Sequence, residues 1–352
     1  MNKFIQKDSI EVINNLGDAN LRFNGKTILL TGAAGFLGSQ FVHYFANLND
    51  SNLLTLPCKL YCIDNFIRGV PEWLNDFQSR SDIVIKNTDI VKSTDFPISD
   101  FIIHAASIAS PTYYRMFPLE TMDANVIGFR NLLDFSVLNP CESFLFFSTS
   151  EIYGDPDEKN IPTDETYRGN VSCTGPRACY DESKRYGETL SVIFARQFKI
   201  PIKIARPFNN YGPGLAIGDK RVIPDFFNDI LRGNNIKIFS DGMATRTFCY
   251  VSDALTGYIK ILLSDHNGEA FNIGTEFPEI SMKDLANKIL DITGNTSLKV
   301  DFEKSKEIDY LVDNPNRRCP NIDKARRLLN FMPSIPLEVG LKRMYNYYLD
   351  SN

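Results

Sequence analysis

Tyr180 stands four residues before Lys184 in Gly175-Pro176-Arg177-Ala178-Cys179-Tyr180-Asp181-Glu182-Ser183-Lys184-Arg185. Positions i and i+4 share one face of a helix, so this spacing sets an ammonium beside a phenol. A cation there favours the phenolate and draws the tyrosine pKa down from about 10 toward working pH, as a general base requires. The same spacing also arises where a buried ring has a snorkelling neighbour. The rest of the chain has to decide between the two.

Three other stretches carry chemistry. Thr31-Gly32-Ala33-Ala34-Gly35-Phe36-Leu37-Gly38 is a glycine turn of the form Gly-x-x-Gly-x-x-Gly. Glycines let the backbone approach a pyrophosphate at a helix N-terminus, where free N–H groups and the helix dipole favour anions. Asp64 ends the next apolar run and is placed to accept hydrogen bonds from an adenosine ribose and to repel a 2′-phosphate, favouring NAD. Arg68 nearby leaves NADP open, and Asp64 also reads as a strand-end cap. Finally, Ser148-Thr149-Ser150-Glu151-Ile152-Tyr153-Gly154 gathers hydroxyls and a carboxylate. Its plain structural reading is a Ser/Thr-rich strand end with Glu151 in a first helical turn.

The elements that must position these groups alternate. Apolar runs at Lys26 to Leu30, Lys59 to Ile63, Ile83 to Ile85, Phe101 to Ile103, Phe144 to Phe147 and Ile202 to Ala205 read as six strands. Helical patterns lie between them, including a long one from about Pro118 to Leu138. Short continuous apolar strands separated by helices predict an α/β fold, a Rossmann-type doubly wound parallel sheet buried on both faces. In such a sheet strand C-termini border the ligand crevice. Asn65, Asp89 and Ile90, then Ala105, Ala106 and Ser107, therefore join Gly32, Gly35, Phe36, Leu37, Gly38 and Asp64 as candidate cofactor contacts, with Tyr180 and Lys184 beside them.

After Arg206-Pro207-Phe208-Asn209-Asn210-Tyr211-Gly212-Pro213-Gly214 the alternation loosens. Helices are expected near 222–232, 253–264, 281–292, 321–330 and 337–349, with short strands near 236–239 and 247–251. The expected organisation is an N-terminal extension at 1–25 with an extra helix, a dinucleotide-binding domain at 26–206, and a smaller α/β lobe at 207–352 interleaved with it.

Composition narrows the partners. Lys plus Arg number 38 against 43 Asp plus Glu, a mild acidic excess that argues against nucleic acid or an anionic membrane. Seven cysteines, odd in number and mostly within apolar runs, fit a reduced cytoplasmic setting. Three histidines and no Cys-x-x-Cys make a metal site unexpected. The opening residues read as neither a signal peptide nor a transit peptide, and no run of about 18 apolar residues predicts a membrane span.

TGAAGFLGS, HAAS, STSEIYGDP, GPRACYDESKR, RPFNNYGPG and TRTFCYVSDA follow in this order. Together they resemble the extended short-chain dehydrogenase/reductases that act on nucleotide sugars, from about Lys26 to the C-terminus. STSEIYGDP with GPRACYDESKR is similar, more narrowly, to the UDP-glucuronic acid decarboxylases (UDP-xylose synthases). The resemblance implies NAD as cofactor, a UDP-sugar as substrate, and a homodimer formed through the helices near 118–138 and 178–197. It implies catalytic roles for five residues. Tyr180 takes the proton of the sugar 4-hydroxyl, Thr149 bonds the same oxygen, and Lys184 binds the nicotinamide ribose and lowers the tyrosine pKa. Glu151 and Arg221 hold the C5 carboxylate, stabilise the enolate and protonate C5. Ser150, Asn209, Arg221, Arg246 and Arg317 become candidate substrate contacts, and Asn125 a residue that orders the active-site helices.

The pattern is not followed throughout. Ser183 replaces the usual glycine, Asn210 and Gly214 depart from Asn-Thr-Tyr-Gly-Pro-Arg, and Asp64-Asn65-Phe66-Ile67-Arg68 lacks the usual Thr-Gly. A C4 epimerase of a nucleotide uronic acid remains the second reading. A 4,6-dehydratase is third, since related dehydratases place an aspartate where Ser150 stands. A silent nucleotide-sugar or NAD-binding protein is the non-enzymatic alternative.

Overall fold

The computed structural model describes residues 2–305, 307 and 309–351. Its centre is a seven-stranded, wholly parallel sheet: β1 (Thr27–Thr31), β2 (Lys59–Asp64), β3 (Ile83–Asn87), β4 (Phe101–His104), β5 (Ser143–Phe147), β6 (Ile202–Pro207) and β7 (Ala270–Ile273). The spatial order is β7-β6-β5-β4-β1-β2-β3. Six of these strands are the expected ones. The seventh comes from the stretch where alternation was expected to have loosened, because four residues between helices carry too little pattern to announce a strand.

The strands are apolar on both faces, and the pleat sends alternate side chains to two cores. Ile28 and Leu30 of β1 face a core with Phe41, Phe45 and Leu262, whereas Leu29 faces one with Phe129, Leu133 and Phe194. The first core holds α1 (Lys3–Leu16), α2 (Phe36–Asp50) and the later helix Val251–Leu263. The extra N-terminal helix thus packs on α2 and on that later helix. Its Asp8, 2% exposed, accepts a 2.8 Å bond from Tyr250 and pairs with Arg343 at 3.2 Å, tying three distant segments together.

The opposite face carries α3 (Ala178–Phe198) and a helical run that begins Pro118–Asp123 and ends Phe129–Leu138. Between those ends lies a π turn at Ala124–Gly128, so the long helix expected there is locally widened. Such turns are rare and often sit at functional sites. A separate apolar cluster, including Ile223, Phe227, Leu285 and Met344, organises helices and short strands beyond residue 207. Among the described residues, no helix is long and apolar enough to cross a membrane.

Candidate active site

The order of the sheet reverses beside β1, which pairs with β2 on one side and β4 on the other. Ligands bind outside the strand C-termini at such a point. Here a cleft of about 1250 Å³ opens, running from the glycine turn past Tyr180 to Arg246 and Tyr310.

The glycine turn is shaped by close approach. A Cβ on Gly38 would lie 2.0 Å from the Gly32 carbonyl oxygen, and one on Gly32, at φ +73°, 2.5 Å from the Ala106 nitrogen. Only glycine fits either place. A Cβ on Gly35 would meet just the Gly32 oxygen, at 3.3 Å, and Gly35 precedes α2 with no side chain capping the helix. Backbone N–H groups and a helix dipole are therefore turned toward the cleft. The Asp64 carboxylate ends β2 beside this turn, accepting from Ala34 N at 3.0 Å and Phe66 N at 2.8 Å. Burial raises its pKa, with those two bonds opposing. This cradle fits the dinucleotide expected there. Gly32, Gly35, Phe36, Leu37, Gly38, Ala105 and Ser107 line the cleft. Asp89 turns its carboxylate to Val91 N, Asn65 is an exposed turn residue whose amide oxygen accepts from Ile67 N, and Ile90 packs beneath Gly128. Arg68 pairs with Asp219 at 3.1 Å and stacks on Tyr113, a placement that brings it to the far wall of the cleft.

β5 delivers the reactive groups. Its five buried residues end at Phe147, just before Ser148, and Thr149 caps the following turn by accepting from Glu151 N at 3.2 Å. Tyr180 stands beside Thr149, whose hydroxyl acts to lower the tyrosine pKa. Burial lifts Tyr180 to about 12, against that hydroxyl and the more distant Arg221. Lys184 is on the expected face but not on the expected atom. Its Nζ donates to the Phe147 carbonyl at 2.8 Å and lies 5.9 Å from the centre of the Tyr180 ring. Burial alone pulls it down to about 7. Burial therefore outweighs the lowering of the tyrosine pKa expected from this ammonium.

Glu151 is gripped by two guanidinium groups, Arg177 Nη2 and Arg318 Nη1, each on a separate carboxylate oxygen. Burial raises its pKa, but the two arginines overcome that and hold it ionised, well below the usual range. Arg221 lines the same cleft but is paired with Asp219 at 2.7 Å. Arg246, half-buried, bonds the carbonyls of Thr245, Pro315 and Asn316 rather than a carboxylate. Burial, then the neighbouring Arg318, draws it down to about 9. Asn209 reaches the Thr247 carbonyl, and Ser150 is buried beside Glu151. Asn125 projects from the π turn, fully buried, and donates to Ser183 Oγ at 2.9 Å. Ser183 in turn donates to the Tyr180 carbonyl at 2.9 Å.

Arg177, Arg318, Asp181 and Tyr114 belong to this constellation although their types and spacing did not single them out. Arg317 was the expected arginine; it makes a bidentate pair with Glu279 at 2.7 and 2.9 Å. Both arginines lie on one short strand, where adjacent side chains point oppositely, and it is Arg318, 4% exposed, that turns inward. Tyr114 stacks on Tyr180 with centroids 5.1 Å apart and planes 6° from parallel.

A doubly wound sheet with a glycine cradle and a Thr/Tyr/Lys cluster at its switch point defines a dinucleotide-dependent class of protein. Residues 28–274 match the NAD dependent epimerase/dehydratase family, and the chain belongs to that family. It is 34% identical over 345 residues to UDP-glucuronic acid decarboxylase 2 of Arabidopsis thaliana, covering 96% of this chain and 73% of the relative. It is 37% identical over 317 residues to UDP-glucuronic acid decarboxylase 6 of the same plant, covering 90% and 87%. The structure is also similar to UDP-glucuronic acid 4-epimerase from Bacillus cereus, solved with UDP-glucuronic acid and NAD, at TM-score 0.75 and 26% identity over 93% of this chain and 100% of the other.

Proposed function

We propose that this chain binds NAD and oxidises the sugar of a nucleotide sugar at C4, and that it decarboxylates UDP-glucuronic acid to UDP-xylose or its 4-keto form. The observation that carries the reading is Glu151, held as a carboxylate by Arg177 and Arg318, next to the Thr149–Tyr180 pair in one cleft. The naming of the decarboxylase relatives supports the same substrate.

NAD, when bound, supplies the hydride acceptor at C4 and returns the hydride at the end. The protein's own groups do the rest. Tyr180, guided by Thr149, takes the 4-hydroxyl proton as C4 becomes a ketone. The C5 carboxylate is then that of a β-keto acid, and its C–C electrons pass into an enolate as carbon dioxide leaves. Arginines around the cleft favour the carboxylate on arrival and the enolate oxygen afterwards. A solvent-derived proton added at C5 gives the 4-keto sugar, and Tyr180 returns its proton to the 4-oxygen as C4 is reduced. Lys184 orients the cofactor's ribose, and Asp64 with the glycine turn holds its adenosine half. Asn209, Arg246 and Arg317 serve the sugar diphosphate; Arg246, lacking a carboxylate of its own, is suited to an anion.

A second reading, C4 epimerisation of a nucleotide uronic acid, draws on the likeness to the Bacillus cereus epimerase. Incubation with UDP-glucuronic acid separates them by product mass. Loss of carbon dioxide supports decarboxylation, an unchanged mass with altered retention supports epimerisation, and loss of water supports dehydration.

We also infer a homodimer in a reducing, cytoplasmic setting. Leu119, Met122 and Ile127 on one helical run and Tyr186 and Ile193 on α3 are all exposed, and all seven thiols are free. Light scattering on the purified protein should give twice the chain mass; a monomer at micromolar concentration contradicts the pairing.

A further inference from the structure

Two carboxylates share Arg177, and they do so unequally. Glu151 accepts from its Nη2 and holds Arg318 as well. Asp181, one helical turn beyond Arg177, has Oδ2 3.5 Å from Arg177 Nε. That is an ion-pair distance without a formed hydrogen bond. Asp181 Oδ1 and Arg177 Nε both have no hydrogen-bond partner among the described residues, though Asp181 is only 4% exposed. A buried carboxylate with one bare oxygen and one remote cation is poorly compensated.

The groups around Asp181 make the asymmetry worse. Glu151 faces it from the turn after β5, already negative. Arg318 faces it from the edge strand but spends its Nη1 on Glu151 and its Nη2 on the Gly154 carbonyl. Helix Pro111–Met116 brings Tyr114 and Arg115, whose guanidinium is paired with Glu307, and α3 brings Cys179 and Tyr180, so none of them offers Asp181 a free cation. Two ionised carboxylates cannot both be satisfied here.

Building on the reading of Tyr180 as base, we propose that Asp181 carries the exchangeable proton of this cluster and is a positioning residue for Glu151. Protonated, Asp181 leaves Arg177 to Glu151 alone. Ionised, it draws Arg177 Nε toward itself, loosens the grip on Glu151 and adds a negative charge near Tyr180. Burial, followed by the Glu151 charge, favours the neutral form, and Asp181, when ionised, joins the charges that keep Tyr180 protonated. The role differs from that of a structural salt bridge, in which Asp181 would be permanently charged.

The test uses the full chain with bound NAD. The infrared band of protonated carboxyl groups should appear near neutral pH in the wild type and lose intensity in Asp181→Asn, whose amide imitates the neutral acid, Asp8 supplying what remains. The ratio of kcat in Asp181→Asn to wild type should rise several-fold between about pH 6 and about pH 9, as only the wild type gains the charge. A band unchanged by the substitution, or a ratio flat with pH, overturns the proposal. Should the variant fold poorly, carboxyl-¹³C aspartate labelling of the wild type reads the titration directly. Because burial also raises Asp8 and Asp225, the labelled chain carries Asp8→Asn and Asp225→Asn; a remaining resonance that titrates near neutral pH supports the proposal, and the lack of one overturns it. Tyr180→Phe separates the two layers: if it retains turnover, the assignment of the base fails whatever the infrared band shows.

Discussion

Lys184 and Tyr180 stand one turn apart on α3, yet the ammonium bonds the Phe147 carbonyl at 2.8 Å and meets the tyrosine only over its ring. The lysine is anchored to the end of β5, the same strand that delivers Thr149 and Glu151. Helix and strand are therefore registered against each other at the reaction centre.

This anchorage places an ionisable lysine in a site where burial lowers its pKa from 10.5 to about 7. In that interval the unfolded chain binds the extra proton and the folded one does not. The contribution of Lys184 to stability is thus most favourable above pH 10.5 and falls as the pH drops toward the folded value. Lys184→Met removes the effect. Its unfolding free energy, relative to wild type, should improve by about 2–4 kcal/mol between about pH 10 and about pH 7 in denaturant melts without ligand. A difference independent of pH would place the charge in solvent.

Arg317 and Arg318 should behave differently. Arg318→Gln leaves Glu151 with Arg177 alone, and kcat should fall by about 100-fold while NAD stays bound. Arg317→Ala breaks a half-exposed pair with Glu279 and should change kcat by no more than about threefold, any larger effect appearing in KM. Steady-state kinetics decide this, and equal losses in kcat would remove the distinction between the two side chains.

Gly38 and Gly35 divide fold from cofactor. Gly38→Ala forces a Cβ onto the Gly32 carbonyl and should cost more than about 3 kcal/mol or prevent folding. Gly35→Ala meets only one atom, at 3.3 Å, so the chain should fold, with NAD bound at least about tenfold more weakly as the methyl intrudes on the pyrophosphate cradle. Calorimetric titration of NAD into the two proteins reads this. Unweakened binding in Gly35→Ala would remove the cradle from that place.

Much of this arrangement was legible in the chain. Continuous apolar runs identified six strands, because a strand buried on both faces has no polar alternation to dilute it. The glycine spacing marked the turn for a steric reason that the Gly38–Gly32 approach makes explicit. Other features required the third dimension. β7 is four residues long, and the π turn around Asn125 changes hydrogen-bond spacing without any composition signal. Arg318 was hidden by its neighbour, since sequence shows two adjacent arginines but not which one the strand turns inward. The raised pKa of Tyr180 was missed because spacing reveals the nearby cation while desolvation depends on everything packed around the ring.

In the proposed reaction, oxidation at C4 precedes expulsion of the C5 carboxylate. Incubating the purified protein with C4-deuterated UDP-glucuronic acid, and separately with the unlabelled sugar in heavy water, tests it most directly by mass spectrometry. The account predicts a product that has lost carbon dioxide, that keeps the C4 deuterium when the hydride is returned, and that gains one solvent deuterium at C5. A product of unchanged mass, or one that has lost water with the carboxylate intact, would contradict it.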